Sequence, residues 1–203
     1  LSLALPDPVY VGLAVSSHEL KVAETALLSH VTLASRVPKP GETRVRETTL
    51  ETLVVETGER KAIFRERKVF EAPNWSADGK FYINREGLMC TLPVAGGAPL
   101  PLEAGGLKGC NNDHGISFDG QWLAVSAAER GQGSKIHVLP AAGGKPRLVT
   151  PQAPSYWHGW SPDGKILTYC AERNGNFDVY TIPAAGGEEK RLTEIVGRSE
   201  IEP

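Results

Sequence analysis

What the chain lacks narrows it first. Three of its 203 residues are cysteine and one is methionine. Cys90, Cys110 and Cys170 have neither the close spacing of a zinc site nor the even count of a disulfide framework, so they are expected to be idle buried thiols. No run of about eighteen apolar residues occurs, the length an apolar membrane-spanning helix needs. A basic excess is missing too: 22 Lys and Arg stand against 24 Asp and Glu, a net charge of −2, which leaves no electrostatic footprint for DNA or RNA. Gly-x-Ser-x-Gly is absent, so nothing points to a nucleophilic serine. Gly131-Gln132-Gly133 and the several Gly-Gly pairs lack the strand-to-helix setting of a phosphate loop. Nowhere is there the period of a helix of any length. Leu1 is preceded by no initiator Met, charged leader or signal-peptide pattern, and the sequence reads as starting inside a longer protein.

What is there is turn chemistry. Glycine (22) and proline (15) are plentiful and punctuate short apolar runs, as in an all-β protein. One stretch occurs three times: Ser76-Ala77-Asp78-Gly79-Lys80, Ser117-Phe118-Asp119-Gly120-Gln121 and Ser161-Pro162-Asp163-Gly164-Lys165. A large apolar residue precedes each (Trp75, Ile116, Trp160) and an apolar run follows, which predicts strand, two-residue Asp-Gly turn and strand. A second hairpin signal follows each copy, at Pro93-Val94-Ala95-Gly96-Gly97, Pro140-Ala141-Ala142-Gly143-Gly144 and Pro183-Ala184-Ala185-Gly186-Gly187. Asp78 and Asp119 are 41 positions apart, Asp119 and Asp163 44. Four short strands recurring at that spacing mark the blades of a β-propeller, because one such sheet cannot bury both faces alone.

These turns resemble the TolB-type, WD40-like propeller repeats, whose signature is Ser-Pro-Asp-Gly-Lys. Residues 156–193 follow that pattern throughout, while the first two copies have Ala77 and Phe118 where proline is usual. The fold expected is therefore all-β: a partial propeller of about three and a half four-stranded blades over 48–203, preceded by a short β segment. The blades are predicted at 70–102, 115–149 and 159–192, with Ile201-Glu202-Pro203 opening a fourth. Thr48 to Phe64 reads as a hairpin turning at Thr57-Gly58, the outer two strands of a blade whose inner two are missing. Such a pair is completed in propellers by strands from elsewhere, and three and a half blades do not close a ring. The missing blades, from the same or another chain, are thus expected partners. Residues 1–36 resemble the last strands of a concanavalin-like (LamG-like) sandwich, a fold often used for glycans; His18 and His30 there are read as surface or structural. Residues 37–47, rich in proline and charge, read as a linker.

Chain direction sorts the loops. The short uniform turns share one face; the variable loops, where binding residues usually sit, share the other. These are Leu107–His114 and Gln152–His158 between blades, with Glu129-Arg130-Gly131 and Glu172–Asn176 within them. The Glu-Arg pairs at 129–130 and 172–173 are expected to be solvated charges. His114 and His158 each lie three positions before the Ser of their repeat, so they should stand at one level near the central channel; blade one has Pro73 there. With Asn112, Asp113, Tyr156 and Trp157 they form the candidate ligand site. The aromatics offer a stacking platform for a sugar or peptide, or packing between blades. The histidines offer metal donors, or strand caps.

The resemblance implies a non-catalytic binding segment of an exported bacterial protein, periplasmic or secreted, whose partner is a protein or a glycan, with no resident cofactor. It also implies two alternatives. One is a metal-dependent lyase of the oligogalacturonate-lyase type, with a divalent metal on His114 and His158. The other is the propeller of a prolyl-oligopeptidase-type serine peptidase.

Overall fold

In the computed structural model, residues 47–128 and 133–194 are described. They belong to the second of two units, Val45–Pro203. The expected sandwich strands in 1–36, the linker apart from Glu47, the loop at 129–132 and the start of a fourth blade at 201–203 lie outside the described residues.

Fourteen strands and no helix occur among the described residues. β1 (Thr48–Leu53) and β2 (Arg60–Glu66) form a two-stranded sheet. Three four-stranded antiparallel sheets follow, each a simple meander. Blade one comprises β3 (Phe70–Trp75), β4 (Lys80–Arg85), β5 (Leu88–Pro93) and β6 (Leu100–Pro101). Blade two comprises β7 (Cys110–Ile116), β8 (Trp122–Ala128), β9 (Ser134–Pro140) and β10 (Arg147–Leu148). Blade three comprises β11 (Ser155–Trp160), β12 (Ile166–Arg173), β13 (Asn176–Pro183) and β14 (Lys190–Arg191). The expected partial propeller is what the chain forms.

Burial explains the stacking. The second and third strands of each blade are apolar on both faces, so neither face suits water. Phe81, Ile83, Cys90 and Leu92 of blade one pack against Leu50, Ile63 and Phe64 of β1–β2. Its other face, through Tyr82 and Met89, meets Leu123, Val125, Ala127 and Leu139 of blade two. Blade two then turns Ala124, Ile136 and Val138 to Leu167, Tyr169, Tyr180 and Ile182 of blade three. Burial of a large aliphatic side chain is worth about 1.5–3 kcal/mol, and each junction holds several. Polar bonds fix the stagger: Tyr82 Oη donates to Ala141 O at 3.0 Å and Asn84 Nδ2 to Cys110 O at 2.9 Å. Within blade two, the backbone at Gly109 runs so close to the end of β8 that a Cβ would lie 2.2 Å from Ala128 O.

The repeated turn differs from expectation in kind. Gly79, Gly120 and Gly164 each donate N–H to the C=O of the Ser three residues back, and only the glycine has positive φ (79°, 71°, 69°). It is a type I turn closed by a left-handed glycine, longer than a two-residue hairpin. That corrects the expected geometry and accounts for the second position, where type I turns welcome proline: Ala77, Phe118 and Pro162 all fit. The Ser hydroxyl donates to the Asp carboxylate two residues on, and that hydrogen bond is the first cause holding Asp119 and Asp163 below the usual carboxylate range. Two-residue hairpins do occur, on the opposite face, at Glu86-Gly87 (φ 53° and 81°) and Asn174-Gly175 (φ 55° and 78°).

The face assignment follows from hydrogen bonds. Val94 N–H reaches Gly79 O, Ala141 N–H reaches Gln121 O and Ala184 N–H reaches Lys165 O. In every blade the Ser-Asp-Gly turn and the Gly-Gly turn therefore sit side by side.

Candidate functional site

All six candidate residues lie in innermost strands, β7 and β11, not in the loops before them. Blades two and three begin at Cys110 and Ser155, earlier than the expected 115 and 159. Bulges account for this: pairing with the next strand shifts between Glu71 and Asn74, between Cys110 and His114, and between Trp157 and Gly159. A bulge breaks the period-2 pattern by which a strand is recognised, and re-aims side chains. Each bulge falls inside its strand, before the residue that leads into the Ser-Asp-Gly turn.

The three bulges carry different chemistry. In blade one, Ala72 takes φ 52°, an uncommon conformation for a residue with a Cβ, and its carbonyl accepts from Asn74 Nδ2 at 3.1 Å. In blade two, Asn111 folds onto Asp113: its Oδ1 accepts Asp113 N–H at 3.0 Å and its Nδ2 donates to Asp113 Oδ2 at 3.1 Å. Asn112 is exposed and Asp113 half-buried. Burial pushes the Asp113 carboxyl up, against the pull of the His158 imidazole across the blade junction and of the Asn111 amide. In blade three, His158 is the bulged residue and is exposed.

The two histidines thus have equal places in the repeat and unequal surroundings. His114 is 3% exposed. Its Nδ1 lies 3.2 Å from Asn111 O and its Nε2 3.5 Å from Tyr82 O in blade one. Its own carbonyl accepts from Asn74 Nδ2 at 3.0 Å, and burial holds its pKa below the usual value. With both nitrogens on carbonyl oxygens, the ring as placed directs no lone pair to a metal. Among the described residues, no three His, Cys, Asp or Glu side chains group as metal ligands would. His158 and Asp113 are the pair of donors that the junction presents.

Trp157 and Tyr156 also part company. The Trp157 indole packs on the blade two–three cluster and lies over Gly115, where a Cβ would be 2.0 Å from the ring. The backbone N–H of Trp157 donates to Ser126 Oγ at 2.8 Å. Tyr156 is half-buried and stacks on Phe177, centroids 6.5 Å apart.

Arg173 departs from its expected place. Far from a solvated loop charge, its side chain is 9% exposed, and all its N–H groups are used. Nε and Nη2 grip Glu189 at 2.7 and 2.8 Å; the remaining protons go to Pro154 O, Glu172 O and Ser155 Oγ. Tyr169 Oη joins Glu189 at 2.7 Å. A planar fork can tie three chain segments at once, which spacing alone cannot reveal. This network floors an open cleft of about 620 Å³ bordered by Gln152, Asn174, Tyr180 and Arg191, where Arg191 is itself held by the buried Asp178 at 2.6 Å. The cleft offers polar groups but few uncommitted charges.

No protein-family model matches the chain. An uncharacterized protein of Agrobacterium fabrum is 44% identical over 153 residues, 74% of this chain and 52% of its own length. Among solved structures, a candidate TolB from Agrobacterium tumefaciens matches at 44% identity and TM-score 0.69, over 75% of this chain and 55% of that one. TolB from Acinetobacter baumannii matches at 20% identity and TM-score 0.60, over 72% and 37%; at that identity the likeness speaks for the fold. The chain spans about half the length of the first two. In repeat, blade topology and likeness, it belongs to the TolB-like family of β-propeller proteins.

Proposed function

We propose that this chain is the non-catalytic binding segment of an exported bacterial protein, and that it takes a protein or glycan partner at the junction of blades two and three, through Asn112, Asp113 and His158 with Tyr156 beside them. One observation carries the reading: each of the three innermost strands departs once from regular pairing, and the side chains there differ from blade to blade, with exposed polar groups in blades two and three. A conserved scaffold with varied residues at one level is how propellers and other rigid folds acquire a ligand. His114 then serves the site from behind, locking the bulge of β7 to blade one. The bacterial origin of the relatives and the TolB likeness favour the periplasm. A half-buried carboxylate beside an imidazole suits a partner bearing amide or hydroxyl donors, and a divalent cation is the second occupant such a pair could take.

The test is binding of the full chain to arrayed acidic and neutral oligosaccharides and to purified periplasmic proteins, with Asn112→Ala/His158→Ala in parallel. An interaction weakened about tenfold or more by the double variant, the cost of one or two good hydrogen bonds, supports the site. Binding unchanged in the variant refutes it. Bound divalent metal lost on His158→Ala would favour the cation.

A further inference from the structure

An aspartate followed by glycine can react with its own main chain. The glycine nitrogen attacks the aspartate Cγ, with no glycine Cβ in the way; the N–Cγ bond forms, and the N–H proton leaves with the carboxyl OH as water. Water then opens the cyclic succinimide at either carbonyl. Cleavage of the N–Cγ bond restores aspartate, and cleavage of the main-chain N–C bond leaves isoaspartate, with one extra methylene in the backbone. Two conditions must be met: the carboxyl is protonated, so that its OH can leave, and the glycine N–H is free. The pairs Asp78-Gly79, Asp119-Gly120 and Asp163-Gly164 all invite this reaction. Their aspartates are exposed, and a Cβ on any of the three glycines would meet nothing within 4 Å, so water reaches them.

In blades two and three the turn restrains both reactants. Gly120 and Gly164 donate N–H to Ser117 O and Ser161 O at 2.9 and 2.8 Å. Asp119 Oδ1 accepts the Ser117 hydroxyl at 2.5 Å and the Gln121 N–H at 3.0 Å. Asp163 Oδ1 accepts the Ser161 hydroxyl at 2.6 Å and the Lys165 N–H at 3.1 Å. Bonds donated to a carboxylate favour its ionised form, which has no OH to lose. Each serine oxygen in turn accepts a backbone N–H, from Trp122 at 3.0 Å or Ile166 at 2.9 Å, which leaves its proton for the aspartate.

Blade one is looser at each of these points. Gly79 N–H reaches Ser76 O at 3.1 Å. The Ser76 hydroxyl proton is shared between Asp78 Oδ1 at 2.5 Å and Lys80 O at 2.9 Å. In place of the backbone N–H, the Asp78 carboxylate takes the Lys80 ammonium at 2.6 Å, an exposed pair that salt screens. Accordingly the first cause holding the Asp78 carboxyl below its usual range is Lys80, with Ser76 second, whereas Asp119 and Asp163 owe theirs first to serine.

We infer that the serine of each Ser-x-Asp-Gly turn protects its Asp-Gly link from succinimide formation, and that Asp78 is the first of the three aspartates to isomerise. Isoaspartate at 78 lengthens the main chain between β3 and β4, where Trp75 pairs with Phe81, and so loosens the inner hairpin of blade one.

The full chain is aged folded at neutral pH in heavy-oxygen water, and conversion at each aspartate is read by peptide mapping, since every ring opening leaves one heavy oxygen. Asp78 should convert about threefold faster than Asp119 or Asp163, and added salt should speed Asp78 alone. Ser161→Ala should raise conversion at Asp163 about threefold, the effect of losing one hydrogen bond, with the other two sites at the parent's rate. Ser161→Thr, which keeps the hydroxyl, should match the parent. Equal rates at the three sites in the folded parent would overturn the inference. So would a Ser161→Ala variant that converts no faster at Asp163, or whose three sites rise equally.

Discussion

The Ser-Asp-Gly turns and the innermost-strand bulges are parts of the same blades, and they behave as opposites. The turns repeat their chemistry: the same Ser–Asp bond, the same glycine φ near 70–80°, and a link to the Gly-Gly turn that is taken from Gly79 in blade one and from Gln121 and Lys165, one place later in the repeat, in blades two and three. The bulges repeat neither residues nor register, with Ala72 and Pro73 in blade one, Asn111–Asp113 in blade two and His158 in blade three. Repetition in the turns makes a blade; variation in the bulges makes one blade unlike the next. Substitutions in turns and junctions should thus cost stability, and substitutions of the exposed bulge residues should cost binding.

The largest effect is expected at close backbone approaches within a blade and in the packing between blades. Gly109→Ala forces a Cβ to 2.2 Å from Ala128 O at φ 70°, combining overpacking with left-handed strain, and should lose about 3 kcal/mol by denaturant midpoint. Leu139→Ala, fully buried between blades one and two, belongs in the same range, about 2–5 kcal/mol. Leu139→Ala leaving the midpoint in place would mean that blades one and two do not stack as described, and Gly109→Ala doing so would mean that the start of β7 does not press on Ala128. Asp119→Ala should lower the midpoint less, through loss of the bonds from Ser117 and Gln121, which are exposed to competition from water.

His114 sharpens the comparison, standing where regular pairing of β7 resumes after the bulge and serving the framework. Burial lowers its pKa from 6.5, so the unfolded chain takes up the proton first. The stability of the neutral ring is whole above pH 6.5 and falls as pH drops through the folded value. Asp113 runs the other way: burial raises its carboxyl from 3.8, so its ionisation costs stability as pH rises. Thermal melts from pH 7 to 5 should decline more steeply for the parent than for His114→Gln. Parallel declines would show that the ring is not the group responsible.

How much of this was legible follows the same division. The repeat at 41 and 44 residues announced four-stranded blades because turn glycines leave a direct mark in sequence. The turn type was misjudged, since Asp-Gly suggests two residues where a type I turn with a trailing glycine also fits. The starts of β7 and β11 were hidden by bulges that interrupt alternation. Sequence also made His114 and His158 equals, for it carries no record of which neighbour fills the space around each ring. Arg173 looked like a surface charge because its partners Pro154 and Glu189 are far from it along the chain.

The account rests on the separation of binding from framework, and one paired measurement reads it. In Asn112→Ala/His158→Ala, partner affinity should fall about tenfold while the melting temperature stays near the parent's, as for exposed substitutions; in Asp119→Ala the melting temperature should fall while affinity holds. An Asn112/His158 variant that melts early, or a turn variant that loses the partner while still folded, would contradict it.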